Sequence, residues 1–372
     1  MSAGRGRKAL QTLLFLGWSL LVTVALLEVG VRTFAPQPLP QSDLQIYRPA
    51  PEIGWRRNPN VRAVASAGEH EVQICTDAAA DRVDCEAPPR DPASCTKRIL
   101  ILGDSFVEAL AVPFRDTAWS RLERETGACV FVAGVGGYWP QQYARQLEER
   151  LGQGDRFDLV ILNIYAGNDF TTSADTMPGP EEVTRPQVHL LPAGLSATDL
   201  FNWLYPFNEW LEARSHLYVA SRYAVLRLIG YDDVRRYGVP AALLRSGLTE
   251  RHVSETARVI ERIGHDAQAS GVPVLVNVVP LQNQVLDPKG ESLASRFPAL
   301  REDLDMDLVS QRFVPRISGL AGIDRVLDLL PFYREHADAS DWDRRDRHFS
   351  AQGHALWFEA MRQPVEELLA KR

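Results

Sequence analysis

Residues Ala9 to Leu27 form a run of 19 uncharged residues dominated by Leu, Val and Ala, and no other stretch restricts the chain as much. As a helix, at about 1.5 Å per residue, the run is roughly as long as the ~30 Å hydrocarbon core of a bilayer is thick. Arg5, Arg7 and Lys8 precede it, which under the positive-inside bias keeps the N-terminus in the cytoplasm. A cleaved secretory signal is the competing reading. The run is longer than a typical signal core, however, and no Ala-x-Ala site lies close behind Leu27. The sequence therefore predicts an uncleaved single-span anchor that meets lipid through residues 9–29. Either reading sends everything beyond about residue 35 out of the cytoplasm.

That compartment changes how the four cysteines read. Cys75, Cys85 and Cys95 lie in or beside one polar stretch, where an oxidising environment allows two of them to pair. Spacing does not say which two. Cys129 sits in the apolar run Ala128–Val132 and is expected to be a buried free thiol. No Cys-x-x-Cys pair occurs, so a structural zinc site is not expected.

Five prolines between Pro36 and Pro51 favour an extended spacer. The expected organisation is an anchor over 1–35, a linker over 36–51 and one domain over 52–372. From Arg98 onward, short apolar runs alternate with amphipathic segments. Arg98–Leu102, Cys129–Ala133, Asp158–Ile164, Val272–Val279 and Arg325–Leu329 read as buried strands. Residues 116–126 and 140–151 read as helices, as do the segment with Val253, Ala257, Ile260, Ile263 and Ala267 and the last one, with Trp357, Met361 and Val365. This pattern predicts an α/β three-layer sandwich with a mostly parallel central sheet. Residues 170–248 interrupt it as a partly helical insertion rich in Trp, Tyr and Phe. Such rings serve either a core or a substrate-facing lid.

With 41 Lys+Arg against 48 Asp+Glu the net charge is −7, which lacks the basic field of a nucleic-acid binder. Chemistry is sought instead at the carboxyl ends of the strands, where α/β sheets place ligands. Gly103-Asp104-Ser105 follows the first strand, Gly134–Gly137 the second and Ala166-Gly167-Asn168-Asp169 the third. Before the last helix comes Asp346-Arg347-His348, with Gly353 and His354 shortly after. Each alone has an ordinary explanation as a cap or turn. A His close behind a carboxylate can also be a base held in one tautomer.

Taken together and in this order, the clusters resemble the SGNH hydrolases, the GDSL esterase and lipase superfamily. The resemblance covers about 98–170 and 325–369. It implies Ser105 as nucleophile and His348 as general base, with an oxyanion hole from the Ser105 N–H, the Gly137 N–H and the Asn168 amide. The sequence departs from the family pattern at Val132, where Asn is usual, at Ala166, where Gly is usual, and at Arg345, where the usual Asp-x-x-His motif has its acid. The shorter spacing Asp346-x-His348 looks like a variant in membrane-linked polysaccharide O-acetylation proteins of the superfamily, and it implies Asp346 as the triad acid; Asp343 is the other candidate.

The resemblance implies a bacterial inner-membrane protein, single-pass, with a periplasmic catalytic domain and no cofactor or metal. Its expected activity is a serine esterase removing short acyl groups, acetyl among them, from a cell-envelope glycan or small ester. An O-acyltransferase with the same triad and a catalytically idle glycan-binding protein are the alternatives.

Overall fold

The computed structural model describes residues 3–37, 39, 46–50, 52–65, 67–88, 94–170, 207, 210–211, 214–228, 239–344 and 346–371. Two compact units emerge, one from Met1–Ser42 with Gln187–Arg236 and the other from Asp43–Pro186 with Tyr237–Arg372.

In the first unit, Ala3–Phe34 is one helix. Its stretch Gln11–Phe34 has 24 residues and a mean hydropathy of 2.1, long and apolar enough to cross a membrane. The Glu28 carboxylate of this helix accepts from Ser215 Oγ and from the backbone N–H groups of His216 and Leu217. It thereby caps the helix His216–Leu228, whose first N–H groups have no partner of their own. Most of the predicted insertion, including Phe201, Trp203 and Tyr205, lies outside the described residues.

The second unit is built on an eight-stranded sheet. Ahead of it stands a hairpin, β1 (Tyr47–Ala50) with β2 (Gly54–Arg57), paired antiparallel. The linker expected over 36–51 therefore gives up its last residues to folded structure, because β1 finds a pairing partner in β2. The sheet strands are β3 (Arg62–Ala65), β4 (Val72–Thr76), β5 (Arg82–Val83), β6 (Arg98–Leu102), β7 (Cys129–Val132), β8 (Leu159–Tyr165), β9 (Val274–Val279) and β10 (Arg325–Asp328). Their spatial order is β10-β9-β8-β6-β7-β5-β4-β3. The five strands from β10 to β7 are parallel, and β5, β4 and β3 extend that sheet antiparallel.

The parallel strands are buried along nearly their whole length because helices cover both faces. Ile99, Ile101, Val130, Val132, Leu159, Ile161 and Leu275 point into one cluster. Ala118–Thr126, Leu329–His336 and Ala351–Ala370 close that cluster with Trp119, Tyr333 and Trp357. Alternate residues such as Leu100, Val160 and Leu162 are equally buried and face the opposite way, the side on which Pro140–Gly152 packs against Glu250–Ala269.

The cysteines pair as Cys75–Cys85 and Cys95–Cys129. The expectation of a free thiol at Cys129 is overturned by register. Cys129 opens β7 directly beside Arg98, the first residue of β6, and Cys95 lies three positions before Arg98, so two residues 34 apart in sequence meet at one edge.

Candidate active site

Within the parallel strands the order β7-β6-β8-β9-β10 reverses direction at β6: the chain steps from β6 to one side, then returns to the other. A crevice outside the carboxyl ends forms at such a switch point. Gly103 and Ser105 sit there because they directly follow β6. Val107 packs so closely on Gly103 and Gly134 that a Cβ at either would collide with it, so the small residues allow the turns after β6 and β7 to approach each other.

Ser105 opens a one-turn helix, Ser105–Glu108, capped by Asp104 Oδ1, which accepts from the Phe106 N–H at 3.0 Å. The other end of that turn is held by the buried Arg82, which donates to the carbonyls of Glu108, Ala109 and Val112. Burial lowers Arg82 to about 10. Within the sheet, Asn163 of β8 donates through Nδ2 to the carbonyl of Leu102, the last residue of β6, at 2.8 Å, and its Oδ1 accepts from Asn277 Nδ2 of β9 at 2.9 Å. The Ser105 turn is thus tied down from three sides.

His348 Nε2 lies 2.7 Å from Ser105 Oγ. Behind it, Nδ1 is 3.2 Å from Asp346 Oδ2, a close charge contact that is off-line for a hydrogen bond. The His348 backbone N–H donates to Asp346 Oδ1 at 3.0 Å, so one carboxylate faces both the backbone and the ring. Phe106 lies against the imidazole with ring centroids 4.7 Å apart. Burial lowers the His348 pKa, but Asp346 and then Asp104 raise it, and the net shift is upward from 6.5.

Asp343 takes a different place. Its Oδ2 accepts from the Glu69 N–H at 2.9 Å and its Oδ1 from the Asp346 N–H at 3.1 Å. Its backbone N–H donates to the His348 carbonyl at 2.8 Å, and its carbonyl accepts from Arg347 N–H. Trp342 and Phe349 bridge antiparallel at the base of this loop. Asp343 therefore folds the loop that carries Asp346 and His348. Arg347 adopts φ +65° within it, a left-handed conformation uncommon for a side chain other than Gly. Arg345 lies outside the described residues.

Of the expected oxyanion donors, Ser105 begins its helix beside Gly136, where an added Cβ would stand 3.8 Å from Ser105 Cβ. Gly137 follows with φ +74°. Asn168 Nδ2 donates to Asp104 Oδ2 at 3.3 Å, which brings the end of β8 to the Ser105 turn. The neighbouring Asp169 is buried and accepts from the Tyr165 N–H at 2.7 Å and the Tyr143 hydroxyl at 3.1 Å. Burial, together with the nearby Asp104, pushes its carboxyl well up. Burial also raises Asp104, although the Phe106 N–H, His348 and Asn168 pull against it.

Sequence reasoning passed over Glu108, whose carboxylate is fully buried beside Gly136. It accepts from the Gly136 N–H and the Tyr47 hydroxyl, each at 2.6 Å. A charged residue three positions after Ser105 was the available signal. No spacing rule links it to Tyr47, 61 positions away.

No protein-family model matches the chain, and no curated protein matches it either. Solved structures to which it is similar include TesA, at 12% identity over 73% of this chain and 99% of that one, with a TM-score of 0.37. An acetyl xylan esterase, AlAXEase, is 12% identical over 72% of this chain and 99% of that one, with a TM-score of 0.36. The psychrotrophic esterase EstA from Pseudoalteromonas sp., in a form inhibited by monoethylphosphonate, is 11% identical over 74% and 99%, with a TM-score of 0.34.

Proposed function

We propose that this chain is an SGNH-type serine esterase, held at a bacterial inner membrane by its N-terminal helix and acting in the periplasm on short acyl esters of an envelope glycan or a small molecule. The observation that carries the reading is the 2.7 Å approach of His348 Nε2 to Ser105 Oγ, with Asp346 behind the ring. A serine hydroxyl is a poor nucleophile until a base removes its proton. His348 takes that proton as Ser105 Oγ attacks the acyl carbon, and Asp346 stabilises the imidazolium.

The carbonyl oxygen becomes the oxyanion, received by the N–H groups of Ser105 and Gly137 and by the Asn168 amide. Each such donor contributes roughly 2.7–4 kcal/mol in the transition state. Collapse expels the alcohol, which leaves with the proton from His348. Water, activated by the same histidine, then releases the acid and restores Ser105.

The two disulfides support an oxidising compartment, and the stretch Gln11–Phe34 supports the anchor. The experiment is turnover of a simple aryl acetate by the full-length chain in detergent, with a free sugar hydroxyl offered as competing acceptor. Release of acetate supports the esterase, and acetyl transfer to the sugar points to the acyltransferase. No turnover of any kind overturns both.

A further inference from the structure

Gly136 is held at both ends of its backbone. Its N–H donates to Glu108 Oε2 at 2.6 Å, and its carbonyl accepts from the Trp55 indole Nε1 at 3.1 Å. The second bond bears on chemistry, because the Gly136 carbonyl and the Gly137 N–H belong to one peptide unit. The described residues contain no cis peptide bond, and in a trans unit the C=O and N–H point in opposite directions. The indole that grips the carbonyl therefore sets the direction of the Gly137 N–H.

The grip comes from outside the doubly wound sheet. Tyr47, Trp55 and Arg57 all belong to the β1–β2 hairpin. The Tyr47 hydroxyl shares Glu108 Oε2 with Gly136, and Arg57 Nη1 stands 3.9 Å from Glu108 Oε1. Arg57 also donates to the Val132 carbonyl at 2.6 Å, at the end of β7. The Trp55 ring packs edge-on against Tyr138 with centroids 5.3 Å apart. An added Cβ at Gly136 would stand 2.9 Å from Glu108 Oε2, so the glycine is what lets the carboxylate come in.

We infer that the β1–β2 hairpin is a positioning element of the oxyanion hole, with Trp55 acting through the Gly136–Gly137 peptide. The inference rests on the esterase reading above. A donor fixed before the reaction costs no reorganisation when charge develops, whereas one free to swing does. Losing the grip should weaken transition-state binding and leave ground-state binding nearly untouched.

The test measures kcat and KM for an aryl acetate with the full-length chain. Trp55→Phe keeps a ring against Tyr138 and removes the indole N–H. It should lower kcat about tenfold while KM stays within about twofold. Tyr47→Phe, a second variant in case the first folds poorly, should give a smaller loss with the same unchanged KM. Arg56→Gln is the control: Arg56 lies between Trp55 and Arg57 on β2 but pairs with Glu149 of the helix Pro140–Gly152 at 2.5 Å and with Glu52 of the hairpin's own turn at 3.0 Å, and it contacts neither Gly136 nor Glu108. It should lower the melting temperature and leave kcat unchanged. Unchanged kcat in Trp55→Phe, or an equal loss in Arg56→Gln, overturns the inference while leaving the esterase reading intact. No turnover by the unaltered chain overturns both.

Discussion

His348 Nε2 and Ser105 Oγ are 2.7 Å apart although 243 positions separate the two residues in the chain. Topology makes the contact. Ser105 follows β6 at the switch point, and His348 arrives on the loop that precedes Ala351–Ala370, the helix that packs beside Ala118–Thr126. Ser105→Ala should therefore abolish aryl acetate turnover. Its thermal unfolding should stay nearly unchanged, since Ser105 is half-buried and does not belong to the apolar core. Activity above about one tenth of the unaltered chain's would refute the nucleophile assignment.

Asp346 and Asp343 are separable by their contacts. Asp346 faces the His348 ring, and Asp343 accepts two backbone N–H groups, from Glu69 and Asp346. Asp346→Asn removes the charge that faces the imidazolium and should cost as much as ~10⁴ in kcat, with little change in melting temperature on the alkaline side, where the histidine is neutral. Asp343→Asn should do the reverse. An amide NH₂ facing a backbone N–H loses that bond, for about 1–3 kcal/mol of stability, and kcat should fall far less than in Asp346→Asn. Kinetics and thermal melts on the two purified variants decide it, and the opposite order would make Asp343 the triad acid.

The parallel strands and their helices were legible because continuous apolar runs and helical periodicity are local signals. Leu159–Tyr165 and Glu250–Ala269 fall within a few residues of the expected bounds. Ser105, Asp346 and His348 were legible because short motifs at strand and helix ends carry them, and the structure brings the three together. Glu108 and Tyr47 were not, since each looks like an ordinary polar or aromatic residue until the hairpin folds over the glycine turn. Cys129 was misjudged for a related reason. Its apolar neighbours describe its strand, while its partner is set by how β6 and β7 align, and that alignment is not written in either segment alone.

The Cys95–Cys129 bridge closes 34 positions and Cys75–Cys85 closes 10. On the chain-entropy account, loops of these sizes correspond to roughly 4 and 3 kcal/mol. The double variant Cys95→Ser/Cys129→Ser should accordingly lose more stability in urea unfolding than Cys75→Ser/Cys85→Ser. It ties the start of β7 to the segment entering β6, so its loss should also loosen the turns after both strands and lower kcat by a few-fold. Equal stability in both double variants would mean that native contacts, and not loop closure, dominate what these bridges contribute.

The pH dependence follows from His348, which works as a base only when neutral. Burial disfavours its cation, but Asp346 and Asp104 favour it more, so its pKa stands above the ordinary 6.5. The kcat/KM for an aryl acetate should thus rise with pH through an apparent pKa above 6.5 and level off on the alkaline side. The same raised pKa means that the ion pair stabilises the fold fully below about pH 6.5 and that this contribution is lost as pH climbs through the folded value. His354 runs the other way. Burial, helped by Arg82, lowers it to about 3, so its contribution is present above about 6.5 and falls away as pH drops from there toward 3. Activity and His348-linked stability should therefore trade against each other on the alkaline limb, while acid weakens the fold through His354. In Asp346→Asn the largest favourable charge on the imidazolium is gone and burial remains. The rising limb of the residual activity should move to lower pH. A limb that stays in place would show that another carboxylate holds the histidine, with Asp104, which also raises it, the first candidate.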